Sequence, residues 1–545
     1  MINKLLNTLK KQWNKRNRND KNFTQKIKIF LEKFQPPFDS NILIWEMGGF
    51  ERILAKNAII ATAFKLRKYK PVFVICSGTP IACIQRGFDQ NEKVENWSKR
   101  CKDCHKSMVN TALKYDVEFI SSNELINQTK LEKINNLSKN IKIDEIKNFI
   151  YEGVNVGKIS LNSFYRYMKG AITNFKDIKD EHLEIYRLYF FSSLVNVELA
   201  KKTYEIYNPK AFLSSHGIYT DYQPASEFFM INKVATTTWV SGYNKFNHYF
   251  NSQLNQQSIQ LTGIKDKLWR EIINLKLTKE HNKKLTDFFN TKYKKNQSVE
   301  FLNNKFDKIK KINDLKKLLN LNNKFVVCLF CHVNWDAGID NSLILFENTN
   351  QWVIESIKEM LKIKDVDWLV KIHPSEKFNE CIKGTLDVIK ENFNIDNFPA
   401  NIKIIDDKST INTLGLYDLI DCGITICGTA GIELPYLGKP ILLAGKAHYS
   451  QKGFTVDPEN KLEYLNYLKN IKKIEKLNFN QKELARKFAY LYFIKRQTTL
   501  TMIRKDQGHW GDLDISKISQ LLPNNNKQID ILCKSIINNE DFLTN

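Results

Sequence analysis

Ile42-Leu43-Ile44-Trp45 is apolar at every position and opens directly into Glu46-Met47-Gly48-Gly49-Phe50-Glu51, then into helical spacing from Arg52 to Lys68. Pro71-Val72-Phe73-Val74-Ile75-Cys76 follows, closed by Ser77-Gly78-Thr79-Pro80. A short run without polar alternation is a strand covered on both faces, as in a parallel sheet sheathed by helices. Strand, glycine turn, helix and strand make the βαβ unit of an α/β fold. Ala211-Phe212-Leu213-Ser214-Ser215, running into His216-Gly217, and Val234 to Val240 add two strands, with helical spacing at 222–232 between them.

The pattern then starts again. Phe325 to Phe330 reads as a strand, Gln351 to Leu361 as a helix, and Trp368-Leu369-Val370-Lys371-Ile372 as a strand ending at His373-Pro374. Ile402 to Ile405 and Leu419 to Cys427 read as further strands. The second runs into Gly428-Thr429-Ala430-Gly431, a helix from Ile432, and a last strand at Lys439 to Leu443. A chain of 545 residues exceeds one hydrophobic core, and two Rossmann-like halves imply a cleft at the carboxyl ends of their strands. The expected division is a basic amphipathic segment at 1–35, a first Rossmann-like domain at 36–280 with a helical insertion at about 105–205, and a charged linker at 281–323. A second Rossmann-like domain at 324–480 follows, with a helical tail at 481–545 packing back on both domains.

The net charge of +24 arises from lysines spread along the whole chain, and no nucleic-acid-binding module accompanies it. Nucleic acid is therefore not an expected partner, and the alternative outside enzymes is a non-catalytic membrane- or nucleic-acid-binding protein driven by charge, whose binding would fall steeply with salt. No stretch reaches the roughly 20 apolar residues that span a bilayer, and Met1 to Asp20 lacks a signal core. A cytoplasmic protein is expected. Leu5, Leu6, Leu9 and Trp13 among Lys4, Lys10, Lys11, Lys15 and Arg16 suit a helix lying on an anionic membrane surface, or an ordinary docking helix.

Two motifs carry chemistry. In Cys427-Gly428-Thr429-Ala430-Gly431-Ile432-Glu433, glycines flank a small hydroxyl residue at a strand-to-helix turn, where backbone amides and the helix end can meet a phosphate. Glu433 lies one turn on, where a carboxylate can accept ribose hydroxyls. In His373-Pro374, proline restrains the histidine to an extended backbone and aims it off the sheet, with Lys371 on the same face.

Together, Lys371-Ile372-His373-Pro374, about fifty residues, Gly428 to Glu433, and Leu437-Gly438-Lys439-Pro440-Ile441 resemble the donor-binding domain of GT-B glycosyltransferases. More narrowly they resemble the capsule polysaccharide biosynthesis family, which includes Kdo transferases and bacterial sialyltransferases using CMP-activated acidic sugars. Gly445-Lys446-Ala447-His448-Tyr449 with Gly453-Phe454-Thr455, and Cys331-His332-Val333-Asn334-Trp335-Asp336, extend the likeness over roughly 325–500. The first half matches only in layout. The resemblance implies that His373 and Thr429 contact the donor phosphate, with Glu433 near the ribose and Asn334, Trp335 and Asp336 at the cleft mouth. It also implies that Lys446 and His448 assist the phosphate or a sugar carboxylate.

The implied activity moves a sugar from a nucleotide-linked donor, CMP-linked by the resemblance, to a glycan or lipid-linked glycan of a surface polysaccharide. Polyol-phosphate transfer from a CDP donor and 2-epimerisation of a nucleotide sugar share the architecture. No cofactor is implied, since the nucleotide sugar is a substrate, and no convincing Asp-x-Asp metal motif occurs. An acceptor hydroxyl needs a base from the first half. Glu51 is favoured, on a loose similarity of Gly48-Gly49-Phe50-Glu51 to the Gly-Glu turn of Kdo transferases. Glu46 comes next, and His216 with Tyr219 and Asp221 nearby is a further candidate. Glu51 also suits a plain first-turn helix charge. Cys76, Cys83, Cys101 and Cys104 could be a structural zinc site or free thiols; 101–105 fits a haem-attachment pattern, set aside because no export signal is present.

Overall fold

The computed structural model describes residues 21–88, 90–243, 246–253, 262–294, 311–322, 325–336, 343–378, 381–504 and 511–543. Most of the basic amphipathic segment, and the middle of the expected linker, lie outside these residues. Residues 21–34 are helical, and Ile27 and Leu31 of this stretch sit in the first core.

The protein is α/β, with two Rossmann-like sheets. The first is built from β1 (Ser40–Glu46), β2 (Tyr69–Ile75), β3 (Glu118–Ser121), β4 (Ala211–Ser215), β5 (Ala235–Ser241) and β6 (Asn247–Ser252). Its central strands run in the order β3-β2-β1-β4-β5, all parallel, and β6 joins β5 antiparallel. The second contains β7 (Phe325–Phe330), β8 (Val366–Lys371), β9 (Ile402–Ile405), β10 (Cys422–Thr425) and β11 (Ile441–Leu443) in the order β9-β8-β7-β10-β11, wholly parallel. In each sheet the strand order reverses beside the first strand. That reversal opens a crevice between β1 and β4 in one sheet, and between β7 and β10 in the other.

Alternation explains why the strands read as unbroken apolar runs. Along β1, Ile42 and Ile44 enter one core while Leu43 and Trp45 enter the other. Along β7, Val326 and Cys328 face one side and Val327 and Leu329 the opposite. Cys328 and Cys331 thus fall on opposite faces and serve as core packing. Each fully buried large side chain contributes about 1.5–3 kcal/mol, so both faces of both sheets hold the fold together.

Six helices matter for the site. They are α1 (Glu51–Lys65), α2 (Cys101–Lys114), α3 (Val156–Met168), α4 (Asp180–Tyr207), α5 (Tyr219–Ile231) and α6 (Ala430–Tyr436). The expected helical insertion at 105–205 is interrupted by β3, which pairs with β2; Glu118-Phe119-Ile120-Ser121 is too short for its alternation to show against helical neighbours. Part of the expected linker is a helix, Lys279–Phe289, that packs Leu285, Phe288 and Phe289 into the second core.

The expected helical tail is interrupted by a strand. Helix α7 (Phe479–Tyr490) packs against α6, a π-turn follows, and β12 (Gln497–Thr499) then pairs antiparallel with β6. Its residues, Gln497-Thr498-Thr499, offer a partner sheet's edge hydrogen bonds that local propensity does not foresee. Helix α8 (Lys527–Asn538) returns Ile529, Leu532 and Ile536 to the first core. The tail therefore crosses from one sheet to the other.

Candidate functional site

In the second sheet, the crevice between β7 and β10 is lined by His332, two residues past β7, and by the turn after β10. His332 Nε2 lies 3.1 Å from Thr425 Oγ1 and accepts the Cys427 amide at 3.2 Å. With Nε2 accepting, the proton belongs on Nδ1. The Gly428 amide points to Thr425 Oγ1 at 3.4 Å, and a methyl on Gly428 would touch both Thr425 and His332. The close approach is to the Thr425 hydroxyl, which would have to give way to a side chain there.

His373, two residues past β8, stands in the same electrostatic field. Its Nδ1 accepts the Ser375 amide at 3.1 Å, so Nε2 is the donor side of the ring. Pro374 between them holds the backbone that makes this bond possible. Burial pushes His373 down to about 4, with Lys371 pushing further and Asp336 pulling back up. Burial likewise pushes His332 down to about 3, with His373 adding to it. Both rings are neutral at pH 7. Lys371 is buried at 6% exposure, and burial lowers its ammonium.

The phosphate-loop motif divides in two. The amide of Gly431 is used by Gly428 O at 2.9 Å, and the amides of Ile432 and Glu433 by Thr429 O at 2.9 and 3.0 Å. Among the described residues, this leaves Thr429 and Ala430 as the orphan amide donors of the helix start. Thr429 sits at the cap position with no side-chain capping bond and is only partly buried. Gly431 serves packing instead, since a methyl there would overlap the ring of Tyr449, whose hydroxyl donates to Gly428 O at 2.6 Å. Tyr449 therefore buttresses the turn from behind.

Other expected members are placed elsewhere. The Glu433 carboxylate is buried, paired with Lys292 and accepting the Tyr417 hydroxyl at 2.6 Å. His448 is stacked between Phe488 and Tyr492, with ring centroids at 5.7 and 4.9 Å. Burial pushes it down to about 3, and the charges acting on it are Arg496 and Lys452. Lys446 is exposed, and its amide donates to Leu343 O at 2.7 Å. The three-residue mouth loop also splits. Asn334 and Trp335 are buried, holding Lys383 O at 3.1 Å and Cys381 Sγ at 2.9 Å, while Asp336 alone is exposed.

Asp336 reaches the other sheet. The crevice between β1 and β4 ends in a turn, His216-Gly217-Ile218-Tyr219, in which three residues have positive φ: His216 at 59°, Gly217 at 69° and Tyr219 at 65°. Left-handed backbone costs a bulky residue on the order of 1–3 kcal/mol, and such strain collects at working sites. The turn delivers the Tyr219 hydroxyl to Asp336 Oδ1 at 2.8 Å. It also buries His216, which is pushed down to about 4 by burial first, then by Arg166, with Asp336 opposing and Lys56 assisting. The Arg166 guanidinium lies 4.9 Å over the Tyr219 ring. The two crevices thus face each other, with Asp336 between His216 and His373.

The carboxylate candidates differ sharply. Glu46 ends β1 on the face packed by α1, 1% exposed, accepting from Asn57, which in turn accepts Trp239 Nε1 at 2.8 Å. Burial pushes its carboxyl up to about 8 against the Asn57 hydrogen bond. Glu51 is exposed in the first turn of α1. His216 is the candidate that lies beside the opposite domain.

Among the described residues, no group of three or more His, Cys, Asp or Glu side chains is arranged to hold a metal ion. Cys76, Cys83, Cys101 and Cys104 do gather, but around the guanidinium of Arg86. A fixed cation there disfavours zinc. The sequence alone marks neither Thr425 nor Tyr449 as a site residue, and His332 stands out in it only as part of a motif. The signal for His332 is its place just past the first strand of a sheet, the switch-point position.

No protein-family model matches the chain, and no curated protein matches it. Among solved structures, it is similar to the beta Kdo 2,4 transferase KpsC of Thermosulfurimonas dismutans, with 15% identity over 58% of this chain and 87% of that one, at a TM-score of 0.35. It is also similar to a putative UDP-N-acetylglucosamine 2-epimerase of Listeria monocytogenes, with 11% identity, 93% and 100% coverage, and a TM-score of 0.30. The UDP-GlcNAc 2-epimerase of Neisseria meningitidis bound to UDP-GlcNAc gives 11%, 82% and 98%, and 0.24.

Proposed function

We propose that the protein is a glycosyltransferase that takes a sugar from a nucleotide-activated, CMP-linked donor and passes it to a glycan or lipid-linked glycan of a surface or capsular polysaccharide. The observation that carries this reading is the opposition of the two crevices: His332, His373 and the Thr429 turn on one side, and His216 and Tyr219 on the other, with Asp336 between them.

On this reading the donor phosphate lies against the second sheet. As the bond to the sugar breaks, negative charge grows on the leaving phosphate oxygen. The Nε2–H of His373, the Thr429 hydroxyl and the orphan amides of Thr429 and Ala430 are fixed donors for that charge, effective because they need not reorganise. His332 holds the turn in shape through Thr425 and the Cys427 amide. The acceptor hydroxyl enters from the first sheet, where the neutral imidazole of His216 takes its proton. Charge stabilisation by these groups needs no metal ion or cofactor. Lys446 and Glu433 serve a donor only if the loop after β11 and the Lys292 pair rearrange.

The basic N-terminal segment is proposed to rest on an anionic inner membrane surface, from the cytoplasmic side. No helix among the described residues is long and apolar enough to cross a membrane. Sedimentation with anionic vesicles, with and without residues 1–20, tests that contact.

The test of the activity is a thermal-shift screen of CMP, CDP, UDP and GDP, followed by product masses with the nucleotide sugar that binds. A ligand held only by the folded state at a hundred times its dissociation constant adds about 2.7 kcal/mol. CMP is expected to shift the wild type and not His373→Ala. A shift of equal size in both sinks the site; transfer from no nucleotide sugar sinks the activity.

A further inference from the structure

Away from the cleft, Arg86 is buried at 4% exposure and uses its guanidinium on carbonyls and one sulfur. Nη1 donates to Pro80 O at 2.9 Å and to Ile81 O, and Nη2 donates to Gly78 O at 3.1 Å. Nε and Nη2 then both donate to Cys101 Sγ, at 3.0 and 2.7 Å. Among the described residues, Cys101 is the one ionisable group that accepts a hydrogen bond from this guanidinium, and the Asp221 carboxylate also lies within its electrostatic reach. A buried guanidinium is costly without such a partner.

Cys101 is the first residue of α2 and Cys104 stands one turn on, so the two thiols share a helix face. Both line one narrow crevice with Cys76, Cys83, Gly78 and Arg86, and all four cysteines are partly exposed. The crevice has about 10 Å³ of free volume, room for roughly one water-sized molecule. A Cys-x-x-Cys pair at a helix start beside a βαβ unit is the arrangement of reactive dithiols. The remaining thiols are held protonated by burial: Cys76 is pushed up to about 11, Cys104 to about 12, and Cys83 well above its ordinary value.

We propose that Cys101 and Cys104 form a peroxide-reactive dithiol, in which Cys101 attacks, Cys104 resolves and Arg86 meets the charge on the attacking sulfur. The small crevice favours hydrogen peroxide over a bulky disulfide as oxidant. Cys101 sulfur bonds one peroxide oxygen as the O–O bond breaks, giving a sulfenic acid and, with the thiol's proton, one water. Cys104 sulfur then bonds Cys101 sulfur as the S–O bond breaks, and the released hydroxide leaves with the Cys104 proton as a second water. Two thiols lose two electrons to one peroxide, and a disulfide with two waters results. Cys104 Sγ occupies the space a side chain on Gly49 would fill, so the reaction acts on the Gly48-Gly49 turn at the end of β1.

The test treats the full chain with hydrogen peroxide and maps its cysteines by mass spectrometry. The wild type is expected to lose two hydrogens and yield a peptide cross-linked between Cys101 and Cys104. Cys104→Ser stops at a sulfenic acid on Cys101, captured by dimedone, and Cys101→Ser prevents the cross-link. Arg86→Lys slows the reaction about tenfold or more, because a single point charge replaces the two-pronged donor. Should that variant fold poorly, the two cysteine variants still decide. Oxidation that falls first on other cysteines, or proceeds at the wild-type rate in Cys101→Ser, overturns the proposal.

Discussion

The hydroxyl of Tyr219 donates to Asp336 Oδ1 at 2.8 Å, a bond that runs from the switch point of the first sheet to that of the second. Tyr219 reaches it from a left-handed backbone, φ 65°, at the start of α5. Asp336 reaches it as the exposed residue of a loop whose neighbours are buried. Strain on one side and exposure on the other both serve the same contact.

Tyr219→Phe removes the donor and keeps the ring beneath Arg166. Because Asp336 is exposed, stability falls by no more than about 1 kcal/mol. Turnover is expected to fall about tenfold, since the cleft loses a bond that joins its two walls at the switch points. A wild-type rate in Tyr219→Phe, with an unchanged melting curve, would show the bond to be incidental.

His332→Ala strands the Thr425 hydroxyl and the Cys427 amide, and His373→Ala removes the proposed phosphate donor. Each is expected to lower turnover at least about tenfold with the fold retained by circular dichroism. Thr429→Ala is expected to behave likewise, whereas His448→Ala is expected to lower the melting temperature more than the rate, because its ring is stacked in the aromatic core.

Glu46 has a pH signature. Its carboxyl ionises near 4.5 in the unfolded chain and near 8 in the folded one. The folded state therefore holds a proton that the unfolded state gives up, and stability falls as pH rises from about 4.5 to 8. Glu46→Gln cannot ionise. Relative to wild type it gains stability across that window, on the order of a few kcal/mol by pH 8, and nothing near pH 4.5. Urea midpoints measured at both ends check the sign; a difference that stays constant would mean Glu46 is ionised throughout.

Gly431→Ala drives a methyl into Tyr449, which is pinned by its bond to Gly428 O. The expected loss is about 1–3 kcal/mol, as for other overpacked cores. Denaturant unfolding measures it directly, and an unchanged midpoint would show that the ring moves aside freely.

Turnover with the identified donor is expected to survive exhaustive treatment with a chelator, since the groups proposed to meet the leaving charge are imidazole, hydroxyl and amide. Recovery of lost activity by added divalent ions would assign that role to a metal instead.

Both sheets were legible because their strands are buried on two faces, which leaves runs such as Ile42 to Trp45 and Phe325 to Phe330 with no polar position. The strands at and next to the rim were not. Glu118–Ser121, Asn247–Ser252 and Gln497–Thr499 are short and polar, and each becomes a strand only because an edge is there to accept its hydrogen bonds. His373 was legible through its proline and Gly428 through its spacing. Thr425, Tyr449 and the resting place of His448 were not, since each depends on what stands across from it.

The sequence by itself determined the two α/β halves, the cleft they imply and the strand ends that line it, because periodicity and glycine placement are local and survive in one dimension. Only the tertiary structure decided that His216 and Tyr219 stand opposite Asp336, that Glu46 is sealed beneath α1, that Glu433 is taken by Lys292, and that Arg86 sits among four cysteines. These are distances between residues far apart in the chain, and packing fixes them through space rather than along the backbone.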